Sequence, residues 1–329
     1  MIFDEQISRK PDNYPWTQGF IDAMWQGHWT PNEFNFQSDI QDFKTDLTEQ
    51  ERTIITRALS AIGQIEIAVK RFWSRLGDNL PQPSLVDLGL VMAGVEVIHN
   101  KAYEKLLDTL QMQDVFEENL KLDIIKGRVQ YLRKYLSRAY ENDRKQYVYA
   151  LILFTLFVEN VSLFSQFYII LWFRRNRNVL KDTAQQVDYT KNEETLHAQA
   201  GIKIVQTIRE EHPELFDADL EARIQSESIS AFEAESKIID WMIGMYESDG
   251  LNANVLKEYV KHRINDSLIQ IGFAAPFTLD NALLAQTDWM DEKVLGNSAT
   301  DFFHQRPVEY SKGHASFDED SLFGAPALA

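Results

Sequence analysis

An all-helical bundle is the fold class this sequence predicts, on three observations. From Thr48 to about Gly272 apolar residues recur at three- and four-residue spacing with few Gly or Pro, and no stretch alternates as a strand does. Two Glu-x-x-His pairs, Glu96 with His99 and Glu194 with His197, lie within that region. Each follows a lone carboxylate set in an apolar run, Glu66 and then Glu159, so the same order occurs twice along the chain.

The elements follow in order. Trp16 to Phe43 reads as irregular. Thr48 with Glu51 forms a capping box that opens the Glu66 helix, and Pro81 and Pro83 separate it from the helix of Glu96 and His99. A third helical region spans roughly Val115 to Glu141; the Glu159 helix, the Glu194 helix and two more, around Ser226 to Glu247 and Val255 to Ile271, come after it. The apolar stretch Val148 to Phe173 is long enough to raise the question of a membrane span. Glu159, Asn160, Ser162, Ser165 and Gln166 interrupt it, and no second span accompanies it, so it is read as the central helix of the bundle. Arg174, Arg175 and Arg177 at its end suit the negative pole of a helix. Residues 1–285 make one helical domain; 286–329 make an extended tail, ending in a Gly-, Ser-, Asp- and Ala-rich segment.

Composition narrows the function. With 44% hydrophobic and 12% aromatic residues in 329, there is ample material for a core, which excludes disorder of the whole chain. A net charge of −17 argues against a nucleic-acid-binding surface. The chain has no Cys, so disulfides, thiolate ligands and thiol catalysis are excluded from it; any thiol chemistry belongs to a partner. The N-terminal residues show no secretory signal, and a cytoplasmic protein without membrane attachment is the expectation.

Glu and His three apart share a helix face, so each pair directs a carboxylate and an imidazole towards one point. One Glu-x-x-His alone is the kind of spacing a solvated helix face produces by chance. Glu66 sits in Ile62-Gly63-Gln64-Ile65-Glu66-Ile67-Ala68-Val69 and Glu159 in Phe154-Thr155-Leu156-Phe157-Val158-Glu159, neither of which looks like surface. Carboxylates are rarely buried unless paired or metal-bound. One Glu from each of two helices with Glu-x-x-His from each of two others is the ligand pattern of ferritin-like di-iron and di-manganese bundles, and the six residues together are read as a dinuclear metal site. Tyr103 lies on the face of Glu96 and His99, either as a redox-active phenol or as a core tyrosine bonded to a ligand. Helical spacing places Leu163 and Phe167 beside Glu159 as an apolar wall that keeps water out.

Trp29-Thr30-Pro31-Asn32-Glu33, Glu96-Val97-Ile98-His99 with Tyr103, Glu159 with Leu163 and Phe167, Glu194-Thr195-Leu196-His197, and the late Asp301-Phe302-Phe303-His304-Gln305-Arg306-Pro307-Val308-Glu309-Tyr310 together resemble the small, radical-generating subunit of class I ribonucleotide reductase. The resemblance covers nearly the whole chain. It implies a ferritin-like fold with extra helices and a homodimer. It also implies two metals, Fe/Fe first with Mn/Mn or Mn/Fe also admitted, held by Glu66, Glu96, His99, Glu159, Glu194 and His197. In that family the metals react with oxygen or a reduced oxygen species and oxidise a nearby tyrosine, here Tyr103 by position. The oxidising equivalent then passes to a large subunit, docked through the C-terminal tail, whose cysteines reduce ribonucleotides. Trp29 matches the family's Trp near the metals and Tyr310 its tail relay tyrosine. An activating flavoprotein is a further partner that the resemblance leaves open.

The chain departs from the family pattern at several positions. Glu66 stands where most members have Asp; a Glu there also occurs in a manganese and iron branch, which lacks the radical tyrosine retained here as Tyr103. Glu193 stands where an Asp usually hydrogen-bonds the relay Trp. Thr190 replaces an apolar neighbour of the radical tyrosine, and the tail ends in Ala-Pro-Ala-Leu-Ala rather than in a usual terminus. The alternative reading is a ferritin-like dimetal oxidase or oxygenase acting on its own small substrate; a third is metal storage or a purely structural bundle.

Overall fold

The computed structural model describes residues 1–128, 130 and 143–290, with the side chains of 64 and 66–68 outside that description. Seven longer helices organise the described chain: α1 Thr17–Gln26, α2 Glu49–Trp73, α3 Pro83–Thr109, α4 Arg144–Arg177, α5 Lys181–Glu211, α6 Ala218–Ile243 and α7 Ala253–Gln270. Among the described residues the only extended pairing is an isolated bridge between Ser248 and Leu251.

Local chemistry sets the ends of these helices. The Thr48 hydroxyl accepts from the Glu51 N–H at 3.3 Å while the Glu51 carboxylate accepts from the Thr48 N–H at 2.9 Å, the reciprocal cap expected for α2. Pro83 occupies the first turn of α3, where its missing N–H costs nothing. The buried carboxylate of Asp39 accepts from the Thr183 N–H at 2.7 Å, placing a negative charge at the positive end of α5. Basic Arg174, Arg175 and Arg177 fill the last turn of α4, as expected, and Arg177 pairs with Glu51 across to α2.

Helices α2, α3, α4 and α5 surround the centre of the bundle. α1 lies across α3 and α5, while α6 and α7 pack together and cover the outer side of α4. The apolar window of α4 is wholly buried inside the bundle, so the stretch that resembled a membrane span is its core helix. Between Phe154 and Ser162, however, α4 is a π-helix. The α-helical spacing that placed Leu163 and Phe167 beside Glu159 therefore does not carry across this segment. Both side chains are nonetheless fully buried.

The helix at α1 corrects the reading of Trp16 to Phe43 as irregular. Its cap residue Trp16 makes no side-chain cap, and Gly19 lies in its first turn, so the usual start signals are missing. Its apolar contacts, through Ile21 and Met24, stabilise it instead. Helix α6 begins at Ala218, well before Ser226, because Asp217 caps it by accepting from the Leu220 N–H at 2.9 Å. Of the helical region expected from Val115 to Glu141, a short helix at Gln113–Asn119 is described, with a further turn before residue 129; 131–142 lie outside the described residues. At the other end Met290 is buried and Trp289 packs on Tyr168, 4.9 Å between ring centroids. The rest of the expected tail, including Tyr310, lies outside the described residues.

Candidate metal centre

Both Glu-x-x-His pairs point to one place. Glu96 and His99 come from α3 and Glu194 and His197 from α5; all four side chains are at most 1% exposed. Glu96 turns Oε2 to His99 Nδ1 at 3.2 Å and Oε1 to His197 Nδ1 at 2.9 Å. Glu194 does the same, Oε1 to His99 Nδ1 at 3.1 Å and Oε2 to His197 Nδ1 at 3.6 Å. Each carboxylate therefore lies between two imidazoles whose ring centroids are 6.3 Å apart, with one oxygen for each. Glu159, from the π segment of α4, reaches the His197 side, Oε2 lying 3.8 Å from Nδ1. Ligand atoms of Glu96, Glu159, Glu194 and His197 all fall within 4.8 Å of one another. Glu66 is on α2, and its side chain is outside the described residues.

Burial on this scale needs compensation. Among the described residues, Glu159 Oε2, both oxygens of Glu194 and both ring nitrogens of His197 make no hydrogen bond of good geometry. Buried polar atoms without partners are costly and uncommon. Burial, with the charges of Glu194 and Glu96 added, pushes the Glu159 carboxyl well above its ordinary range. Burial also works against ionisation of Glu194, but the imidazoles of His197 and His99 outweigh it and hold that carboxyl low. For His197 burial lowers the pKa, and Glu194 and Glu96 overcome it, raising the imidazole to about 9. A cation in the cluster would take up the unused donor atoms and replace these protons, so the residues fit a metal; oxygen and imidazole donors suit Fe and Mn.

A second layer fixes the first. His99 Nε2 lies 2.7 Å from Glu193 Oε2, and the same oxygen accepts the Trp29 indole N–H at 2.8 Å. With Nε2 donating its proton to Glu193, Nδ1 is left as the nitrogen on the side of Glu96 and Glu194, where its lone pair would be available to a metal. Glu193 is 4% exposed and bridges Trp29 to His99, so the extra methylene relative to Asp is accommodated. The Trp29 ring also stacks on His99, 6.2 Å between centroids. The loop after Trp29 is built by its own residues: Thr30 and Glu33 form a capping box around Pro31, and Lys105 Nζ of α3 clamps Pro31 O at 2.8 Å and Phe34 O at 3.0 Å.

Tyr103 is on α3 one turn beyond His99 and is 2% exposed. It lines a cavity of about 400 Å³ shared with Gly63, Leu107 and Phe116. Thr190 is buried, and its hydroxyl donates to Gln186 O in its own helix at 3.1 Å. Sequence reasoning missed Trp73, whose indole N–H donates to Glu159 Oε1 at 2.5 Å. The signal was present: Trp73 follows Glu66 by seven residues on one helix, the spacing that returns to the same face.

The family model for the ribonucleotide reductase small chain matches residues 6–282. The chain belongs to that family. Among small-chain relatives, the probable ribonucleoside-diphosphate reductase small subunit of Invertebrate iridescent virus 3 is 26% identical over 96% of this chain and 87% of its own. The ribonucleotide reductase R2 subunit from Clostridium botulinum has the same fold, with a TM-score of 0.77 and 18% identity, covering 86% of this chain and 89% of its own. A variant of an R2-like ligand-binding oxidase, reconstituted with a Mn/Fe cofactor, is similar at a TM-score of 0.68 and 18% identity, covering 80% of this chain and 95% of its own. The all-α, ferritin-like fold expected for a small chain is thus the fold observed.

Proposed function

We propose that this chain is the radical-generating small subunit of a class I ribonucleotide reductase. The observation that carries the reading is the pair of carboxylates, Glu96 and Glu194, each offering one oxygen to His99 and the other to His197. In the proposal Glu96, His99, Glu159, Glu194 and His197, with Glu66 as the sixth, are the residues that would hold a pair of metals. When bound, the metal pair supplies the oxidising equivalent by reacting with dioxygen or a reduced form of it; Fe/Fe, Mn/Mn and Mn/Fe all suit the donor set.

The chain's own residues do the rest. Tyr103, buried one turn from His99, is the residue that would be oxidised by that equivalent and hold the radical. Glu193 holds His99 in its ligand tautomer and is placed to take the indole proton of Trp29 when charge moves along Trp29 towards the surface. Tyr310, on the 286–329 tail, carries it across to the large subunit. Because this chain has no Cys, the thiol chemistry of ribonucleotide reduction must come from that partner. The working assembly is a homodimer docked to the large subunit through the tail, in the cytoplasm, with an activating flavoprotein as a further candidate partner. The test is turnover with a cognate large subunit: removing residues 305–329 abolishes it while leaving the Tyr103 radical intact. Undiminished turnover after truncation contradicts the proposal.

The structural likeness to a ligand-binding oxidase favours a second reading, a dimetal oxidase acting on its own small substrate. Oxidation of a co-purified lipid-like ligand without any partner is the result that selects it.

A further inference from the structure

Two arginines that belong to neither Glu-x-x-His pair grip the helix segment carrying Glu159. In a regular α-helix every interior carbonyl is taken by the N–H four residues on. Where a helix changes between π and α spacing that ladder is interrupted, and carbonyls are left for other donors. In α4 the change comes at Phe154–Ser162 and is followed at once by the α-helix from Phe164. Arg263 of α7 donates from Nε to Asn160 O at 2.6 Å and from Nη2 to the Asn160 side-chain oxygen. On the other side Arg128 donates to Ser162 O, and from Nη1 to Ala61 O of α2 at 2.9 Å.

The two grips differ in electrostatics. Arg128 is paired with the buried carboxylate of Glu235, Nε to Oε1 at 3.1 Å. Arg263 is 7% exposed, and no carboxylate pairs with it among the described residues. Its guanidinium instead lies 3.3 Å over the Phe164 ring and donates to Tyr259 OH at 3.3 Å. A buried guanidinium is costly unless its donors are used. Two of its three nitrogens donate to one residue, Asn160, held by both its backbone and its side chain, while the Asn160 amide donates onward to Ser267 Oγ at 2.5 Å. Residue 160 is thereby fixed in rotation about the helix axis, and Glu159 is one peptide bond away.

We infer that Arg263 is a positioning residue for the metal site: by clasping Asn160 it holds the π segment in the register that aims the Glu159 carboxylate at His197 and Trp73. This deepens the metal-centre reading and rests on it. Among the described residues Arg263 makes no hydrogen bond or ion pair with a candidate ligand side chain, and it acts through Asn160. Replacing it strands no carboxylate, so the fold is expected to survive, whereas loss of Arg128 would leave Glu235 buried and unpaired.

The test is an anaerobic Mn(II) titration of the full-length parent, Arg263→Gln and Arg263→Lys, with melting of each metal-free protein alongside. The parent binds two Mn(II); if it binds none, the metal-centre reading itself fails. Arg263→Gln is expected to keep a metal-free melting temperature near the parent's yet bind one of the two ions about tenfold more weakly or worse, the scale typical of residues that support ligands. Arg263→Lys, which keeps the charge and one donor for Asn160 O, is expected to fall between. Parent-like affinity in Arg263→Gln, or a loss no larger than its own destabilisation accounts for, overturns the inference while leaving the metal centre standing. If Arg263→Gln does not fold, Arg263→Lys decides alone: several-fold weaker binding at an unchanged melting temperature supports the inference, and parent-like binding overturns it.

Discussion

The indole N–H of Trp73 donates to Glu159 Oε1 at 2.5 Å, which leaves Oε2 as the oxygen turned towards His197. One oxygen is thus committed to a fixed donor and the other is available to a metal. Trp73→Phe keeps an aromatic ring, though a smaller one, and removes the donor. Metal affinity is expected to fall roughly 10- to 100-fold, as for other residues that orient ligands. Anaerobic titration with Mn(II) checks this, and parent-like binding would show that Trp73 only packs.

Glu193 uses a single oxygen for both Trp29 and His99. Glu193→Gln can present its amide oxygen to the same two donors, so metal binding should survive, whereas Glu193→Ala frees the His99 ring and should weaken binding by about tenfold or more. The amide cannot take up a proton. Turnover with the large subunit is therefore expected to be lost in Glu193→Gln even with both metals bound, and retained turnover would remove Glu193 from the relay.

Protonation of the metal-free cluster opposes metal binding. His197, raised to about 9 against an ordinary 6.5, and Glu159, held well above its ordinary range, both carry protons that a metal must displace. Both shifts are upward, so their contribution to metal-free stability is complete below the unfolded values and is lost as pH rises through the folded ones. The metal-free melting temperature should therefore fall between pH 6.5 and 9, and the increase in melting temperature on adding Mn(II) should grow over the same interval. Calorimetry in buffers of different ionisation enthalpy should also show proton release on binding. A metal-induced increase that does not change with pH would place the protons elsewhere.

Gly201 lies one turn beyond His197, where α5 crosses the π segment. A Cβ at that position would come 2.4 Å from Thr155 Oγ1, 2.5 Å from Cγ2 and 3.0 Å from Cβ. Rotation of Thr155 exchanges one clash for another, so the helices must part. Gly201→Ala is expected to destabilise the fold by about 1–3 kcal/mol despite its better helix propensity. Chemical denaturation measures this, and a neutral or stabilised variant would show that the two helices are not in close contact.

The convergence of the two Glu-x-x-His pairs was legible because an α-helix converts a spacing of three into a shared face, and because the pattern occurs twice. The helix starts at Thr48 and Pro83 were legible for the same local reason: their chemistry lies within a few residues. What escaped was non-local or non-ideal. The π segment at Phe154–Ser162 has no sequence mark of its own; its freed carbonyls are taken by Arg128 and Arg263, both distant along the chain. Helix α1 was hidden by an uncapped start, and the sharing of one Glu193 oxygen between Trp29 and His99 joins residues far apart along the chain.

The most direct test of a dinuclear, radical-forming centre is electron paramagnetic resonance of metal-free protein loaded with Fe(II), Mn(II) or both and then exposed to oxygen. Tyr103→Phe is run beside the parent. The account predicts two metals per chain and a tyrosyl signal in the parent that is absent from Tyr103→Phe. One metal per chain, or an oxidised signal indifferent to Tyr103→Phe, would contradict it.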